Sequence, residues 1–214
     1  MFEIPADLKG VDEIEAKILH VDTEEVERRL LAAGAQREGH FAVTEQRYHS
    51  NEAMRAAGFS GPRLRLLSNA CRDQIEIAFK QKLPSLPLPG REDLGLPCKR
   101  RNEIEFTSTG AWNSEQGFQL MRMLLDDLFA RRGFMLSGRT RFLQAGISYQ
   151  IDSIRSADGS TERLPPPFLE IEGPSPAAIL EAARAIGFNA EDLQPSTKQE
   201  MVEAHRQQTS VDGA

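Results

Sequence analysis

At 214 residues, with 40% hydrophobic and 27% charged residues, the chain is sized and composed for a single soluble globular domain. Its net charge of −6 argues against a general binder of nucleic acid or anionic membrane, although local charge can still hold an anionic small molecule. Two cysteines, no apolar run in the opening MFEIPADLKG and no stretch of membrane-spanning length point to a cytoplasmic protein with reduced thiols.

The first predicted element is a strand over 11–20. Asp22 then offers an N-cap with Glu25 three residues on. Val26, Leu30 and Ala33 share one helical face, and Gly34 supplies a stop. Strands are predicted at 41–50, 62–68 and 74–82, the last two joined by a short connection at 69–73. Residues 83–98 carry Pro84, Pro87, Pro89 and Pro97 among leucines, which predicts an irregular loop, read as an insertion more than a lid. A strand at 100–107 leads to a helix over 113–132, with Phe118, Met121, Leu125, Leu128 and Phe129 as its apolar stripe and Gly133 as its end. Strands follow at 134–143, 146–154 and 167–173. Ser175 and Pro176 then open a helix that closes at Gly187, and a last helix lies near 196–206. The expected fold is α+β: an eight-stranded antiparallel barrel in one domain, residues 1–207, with helices packed outside and a frayed polar tail at 208–214.

The charge pattern says which way such a barrel faces. Glu13, Glu15 and Lys17 fall on alternate positions, as do Arg63 and Arg65, Arg101, Glu103 and Glu105, Arg139 and Arg141, and Glu170 and Glu172, with Ile14, Leu64, Ile104 and Ile171 on the opposite faces. Side chains two apart on a strand share a face. One such strand is an ordinary solvent-facing strand. Five, with both signs of charge, predict a polar interior with the apolar faces turned outward under helices. Carboxylates suit magnesium or manganese, and lysine and arginine suit phosphate. Buried like charges without partners are prohibitive, so the two signs must interleave around water, metal and ligand. His20, His40, His49 and His205 lack metal-ligand spacing, and no P-loop is present.

The order and spacing of these residues, together with Lys80 and Asp152, resemble the CYTH superfamily, or triphosphate tunnel metalloenzymes, over roughly residues 11–205. The resemblance implies an eight-stranded tunnel in which Lys17, Arg63, Arg65, Lys80, Arg101, Arg139 and Arg141 grip a triphosphate. It implies metal ligation by Glu13, Glu15, Glu170 and Glu172, with Asp152 helping to place metal or water and Glu103 and Glu105 sharing in ligation or holding the basic residues. Glu13, Glu15, Lys17 and Asp152 become the catalytic set. In the second strand, Gln46 and Ser50 stand where that family has acidic residues. Near the C-terminus Thr197 and Lys198 stand in place of a serine–tyrosine pair.

The leading functional expectation is metal-dependent hydrolysis of a triphosphate: inorganic, nucleoside or thiamine triphosphate. A class IV adenylate cyclase is the runner-up, since cyclisation uses nearly the same ligands, and a non-catalytic polyphosphate-binding module is a third alternative. Magnesium or manganese is the expected cofactor and a small triphosphate the partner, with homodimerisation left open.

Overall fold

The structure is a computed structural model and describes residues 10–94, 98–108, 115–159 and 164–211. Strand β1, Val11–Ile18, is followed by helix α1, Thr23–Ala32, with the Asp22 carboxylate accepting from the backbone N–H groups of Glu24 and Glu25. Then come β2, Gln36–Tyr48; a short α2, Glu52–Ala56; β3, Arg63–Ser68; β4, Asp73–Lys82; and β5, Lys99–Thr107. Helix α3, Glu115–Leu128, precedes β6, Arg131–Gln144; β7, Ile147–Ala157; and β8, Phe168–Gly173. Helix α4, Pro176–Ala185, is capped by the Ser175 hydroxyl. A two-residue β9, Leu193–Gln194, and helix α5, Lys198–Val211, complete the described chain. Among the described residues no helix is long and apolar enough to cross a membrane.

The strands run in the order β5-β4-β3-β2-β6-β7-β8-β1, and β1 also pairs with β5, which closes an antiparallel barrel of eight. Strand β1 is the seam. Val11 to Glu15 pair with β5, Ile14 to Ile18 pair with β8, and β9 takes the side of Lys17 and Ile18 that β5 does not reach.

The apolar faces point outward, as the alternation predicts. Ile14, Ala16, Ile18, Leu169 and Ile171 pack in one cluster with Val26 and Leu30 of α1 and Ile179 and Ala183 of α4. Leu64, Leu66 and Ile75 pack with Phe118 and Leu125 of α3. Each fully buried Leu or Ile in these layers contributes about 1.5–3 kcal/mol relative to exposure.

The structure corrects several expectations. Strand β2 starts at Gln36, five residues early, because Gln36 to His40 find backbone partners on β6 despite their polar side chains. Helix α3 ends at Leu128 and Arg131 is already paired with Tyr48, so the apolar stripe outlasts the helix. Strand β1 stops at Ile18, with His20 at φ 56° turning the chain, and β7 continues to Ala157. Helix α5 runs to Val211, beyond the expected start of the tail.

Two findings bear on the interior. Phe41 and Val43 on β2 and Leu67 on β3 share the faces of Glu45 and Arg65 and form a small buried cluster, so the inside is not wholly ionic. Met201 and Val202 of α5 pack against Met135, Ile154 and Phe168. Ile154 and Phe168 stand two residues from Asp152 and Glu170 on the inward alternation, so α5 stoppers part of one barrel end rather than lying wholly outside.

The proline-rich loop is more than an insertion. Leu88 is completely buried in the cluster under α1 and α4, beside Cys98, and Leu86 bridges to Cys98 through the backbone. Leu88→Ala is expected to cost about 2–5 kcal/mol in urea unfolding, the range for a buried leucine that leaves a cavity. A cost near zero would restore the loop to mere decoration.

Candidate active site

A cavity of about 720 Å³ runs inside the barrel. Thirteen lysines and arginines line it against eight glutamates, an excess of five positive charges inside a chain whose net charge is −6. Local charge therefore reverses the global sign, an electrostatic setting that favours anions.

At the β1–β8 seam, Glu13, Glu15 and Glu172 each place a carboxylate oxygen within 4.8 Å of the others. Burial, and then the carboxylates of Glu170, Glu13 and Glu15, push the Glu172 carboxyl well above its usual range. Among the described residues it has no ion pair of its own. Three converging hard oxygen donors, with Glu172 uncompensated among them, fit a divalent cation such as magnesium or manganese.

The other residues singled out in the sequence are placed as follows. Lys17 lies between Glu15, at 2.9 Å, and Glu170, and both carboxylates outweigh burial to raise its pKa. Glu170 therefore serves Lys17 and stands outside the three-carboxylate group. Lys80 bridges Glu13 at 2.7 Å and Glu103 at 2.5 Å, and Arg101 reaches Glu15 at 2.9 Å. Glu105 lies at the exposed rim of the cavity. Asp152, fully buried, is held by Arg139 through two bonds of 2.9 and 3.0 Å and by Lys198 at 2.8 Å. Arg65 spans Glu45 at 2.9 Å and Glu76 at 3.1 Å, Arg63 stands 3.6 Å from Glu45, and Arg141 pairs with Glu38 at 3.3 Å.

Four participants lie outside the site set expected from the sequence. Glu45 and Arg47 alternate on β2 in the way the five charged segments do, out of phase with Gln46 and Ser50, the positions to which the resemblance points. The even positions face outward: Gln46 donates to the Gly133 carbonyl, and Tyr48 packs on Phe129. Among the described residues, Lys99 lines the cavity with no hydrogen-bond partner on its Nζ and with Glu200 as its one ion pair, at 3.9 Å. Lys198 arrives from α5, a helix whose docking at the barrel end has no strand-period signature. Its ammonium also lies 5.6 Å from the centre of the Phe168 ring.

Burial, and then repulsion from Lys17, pulls Lys99 down to about 8, and burial with Arg139 does the same to Lys198. A polyanion in the cavity favours the charged forms and raises both values. Triphosphate binding near pH 8–9 is therefore expected to take up protons, read as a dependence of calorimetric binding enthalpy on the buffer's ionisation enthalpy. No dependence on buffer would show these lysines already protonated in the free protein. In the unliganded protein both lysines sit below their unfolded value. The unfolded chain then binds more protons between about pH 8 and 10.4, so their contribution makes stability rise with pH across that window.

No protein-family model matches the sequence, and no curated protein matches it. Solved structures do match in fold. A conserved hypothetical protein from Pyrococcus furiosus aligns with TM-score 0.63 at 17% identity, covering 88% of this chain and 99% of that one. An adenylate cyclase candidate from Vibrio parahaemolyticus aligns with TM-score 0.59 at 11% identity, covering 91% and 99%. An adenylyl cyclase candidate from Hippeastrum, described as having a dominant triphosphatase activity, aligns with TM-score 0.52 at 15% identity, covering 90% and 95%. At these identities the likeness is one of fold, and the fold is the closed eight-stranded antiparallel barrel with a charged interior expected from the sequence.

Proposed function

Starting from the tunnel fold this chain shares with adenylate cyclase candidates and a protein of triphosphatase activity, we propose that it is a divalent-cation-dependent hydrolase of triphosphate compounds. The observation that carries this reading is the meeting of Glu13, Glu15 and Glu172 in the wall of a cavity with a five-charge positive excess. A binder of phosphate alone has no use for three converging carboxylates.

Glu13, Glu15 and Glu172 would hold magnesium or manganese, which when bound polarises phosphate oxygens and lowers the pKa of coordinated water. The chain's own groups do the rest by position and electrostatics. Arg63 and Lys99, whose nearest carboxylates stand 3.6 and 3.9 Å away, are the first phosphate ligands, with Lys80, Arg101 and Arg141 around them. Arg65, Arg139 and Lys17 are pinned by buried carboxylates, so they present fixed charge with little reorganisation. Glu45 and Asp152 act on the substrate only by fixing those cations.

Among the described residues the one aromatic side chain in the cavity lining is Tyr48, whose buried ring packs outward against Phe129, so the wall offers charge rather than a face for a base to stack on. This favours attack on the terminal phosphoryl group over cyclisation, which must also seat base and ribose. The test is incubation with magnesium or manganese and tripolyphosphate, thiamine triphosphate or ATP. Orthophosphate release is the expected result. Cyclic AMP with diphosphate would mark a cyclase instead, and binding without turnover a storage or sensor module.

A further inference from the structure

Gln150 on β7 is the misfit in the cavity wall. It is only 4% exposed, and its Oε1 has no hydrogen-bond partner among the described residues. Its Nε2 reaches the Ser148 hydroxyl at 3.5 Å, the limit of a hydrogen bond. A buried carbonyl oxygen left unpaired costs about 1–3 kcal/mol, and folded proteins keep few of them.

The chemistry of Oε1 narrows what it is for. An amide oxygen only accepts hydrogen bonds. An ionised triphosphate also only accepts, so the substrate's phosphates cannot satisfy it. Its complement must carry O–H or N–H. The neighbours across the strands sharpen the point. On β8 the pair is Glu170, itself an acceptor and engaged by Lys17. On β6 the pair is Arg141, whose Nε makes no hydrogen bond although Glu38 stands 3.3 Å away. A cation suited to a phosphoryl oxygen and an acceptor suited to a water thus lie side by side, on the wall that also carries Glu172.

Resting on the hydrolase reading above, we infer that Gln150 orients the attacking water. Its Oε1 accepts one water hydrogen while Arg141 holds the terminal phosphoryl group, so that a lone pair of the water oxygen faces phosphorus. The water oxygen forms the new P–O bond. The bond from phosphorus to the bridging oxygen breaks, and its electron pair leaves on diphosphate or the nucleoside diphosphate. One water hydrogen stays on the orthophosphate and the other proton passes to solvent. The amide itself takes no proton; it acts by direction alone, as a glutamine does for the attacking water in some GTP hydrolases.

The test compares Gln150→Met, of similar volume and without the acceptor, with Gln150→Glu, which retains acceptor oxygens. Steady-state hydrolysis of tripolyphosphate is followed alongside thermal melting. Gln150→Met is expected to lower kcat by about 10- to 100-fold at unchanged KM, the scale of losing orientation of a reacting group. Its melting temperature should be equal or higher, because an unpaired buried carbonyl has gone. Gln150→Glu should recover part of kcat, and it carries the comparison if the Met variant does not fold. A raised KM with kcat preserved would mean the amide donates to phosphate, and unchanged kinetics would mean it has no role; either overturns the inference. Wild-type protein that releases no orthophosphate from any triphosphate would instead remove the hydrolase reading itself, and this one with it.

Discussion

Glu172→Gln is expected to lower metal-dependent turnover at least about 100-fold, because even the outer partners of metal ligands cost about 10- to 100-fold when lost. The substitution is almost isosteric, and among the described residues Glu172 has no ion pair to lose, so the fold should survive intact. Two readouts separate the causes. Wild-type protein should melt at a higher temperature with magnesium or manganese present, since a cation that binds only the folded state stabilises it by mass action. The variant should lose that increment while its melting temperature without cation stays level or rises, burial and three neighbouring carboxylates having been unfavourable to the charge. Glu13→Gln should act in the same direction but less cleanly, because it also takes a partner from Lys80. Undiminished turnover together with an undiminished cation effect in Glu172→Gln would place the metal elsewhere.

Asp152→Ala is expected to be the most destabilising change, at about 3–5 kcal/mol, the cost of breaking a buried ion pair from one side. Arg139 and Lys198 would be left buried, with their shared anion gone. Against a typical total of about 5–15 kcal/mol, such a loss brings the protein to the edge of folding. The pair also carries a pH dependence. Burial would raise the Asp152 carboxyl, but Arg139 and Lys198 outweigh it, so its folded pKa lies below the unfolded one. Its contribution is complete above the ordinary carboxylate range and is lost as pH falls through the folded value. Urea unfolding of wild type and variant at neutral pH measures the difference directly. A loss below about 1 kcal/mol, the worth of a surface pair, would show that water reaches both cations.

How far the sequence carried depended on period. Strand-period alternation put Glu13, Glu15, Arg63, Arg65, Arg139 and Arg141 on one face each, and the barrel turned all of those faces inward. Eight strands followed from the same signal, but not the pairing order that sets β2 beside β6 and β1 beside β5. What it could not show were contacts made by backbone pairing alone, such as Gln36 to His40 on β6, or by a helix meeting the barrel end-on. Lys198 belongs to the second kind: nothing local to PSTKQEMV says that α5 will insert its first turn beside Asp152. Glu45 is legible in the alternation with Arg47, but the resemblance points to Gln46, and a shift of one residue in a strand exchanges inside for outside. Glu170 shows the limit in another way, since the alternation places it correctly but cannot say that Lys17 will claim it.

The seam has a consequence for how the molecule is made. Strand β1 is made before the other strands of the barrel, yet its partner along one flank, β8, lies about 150 residues downstream. Until that distant ribbon emerges, one flank of the opening strand has nothing to zip onto, a topology that slows assembly and exposes an edge meanwhile. Because Glu13 and Glu15 sit on one lip of this join and Glu172 on the other, the carboxylate trio comes into being only with the last stitch. Any breathing that parts the lips scatters it first.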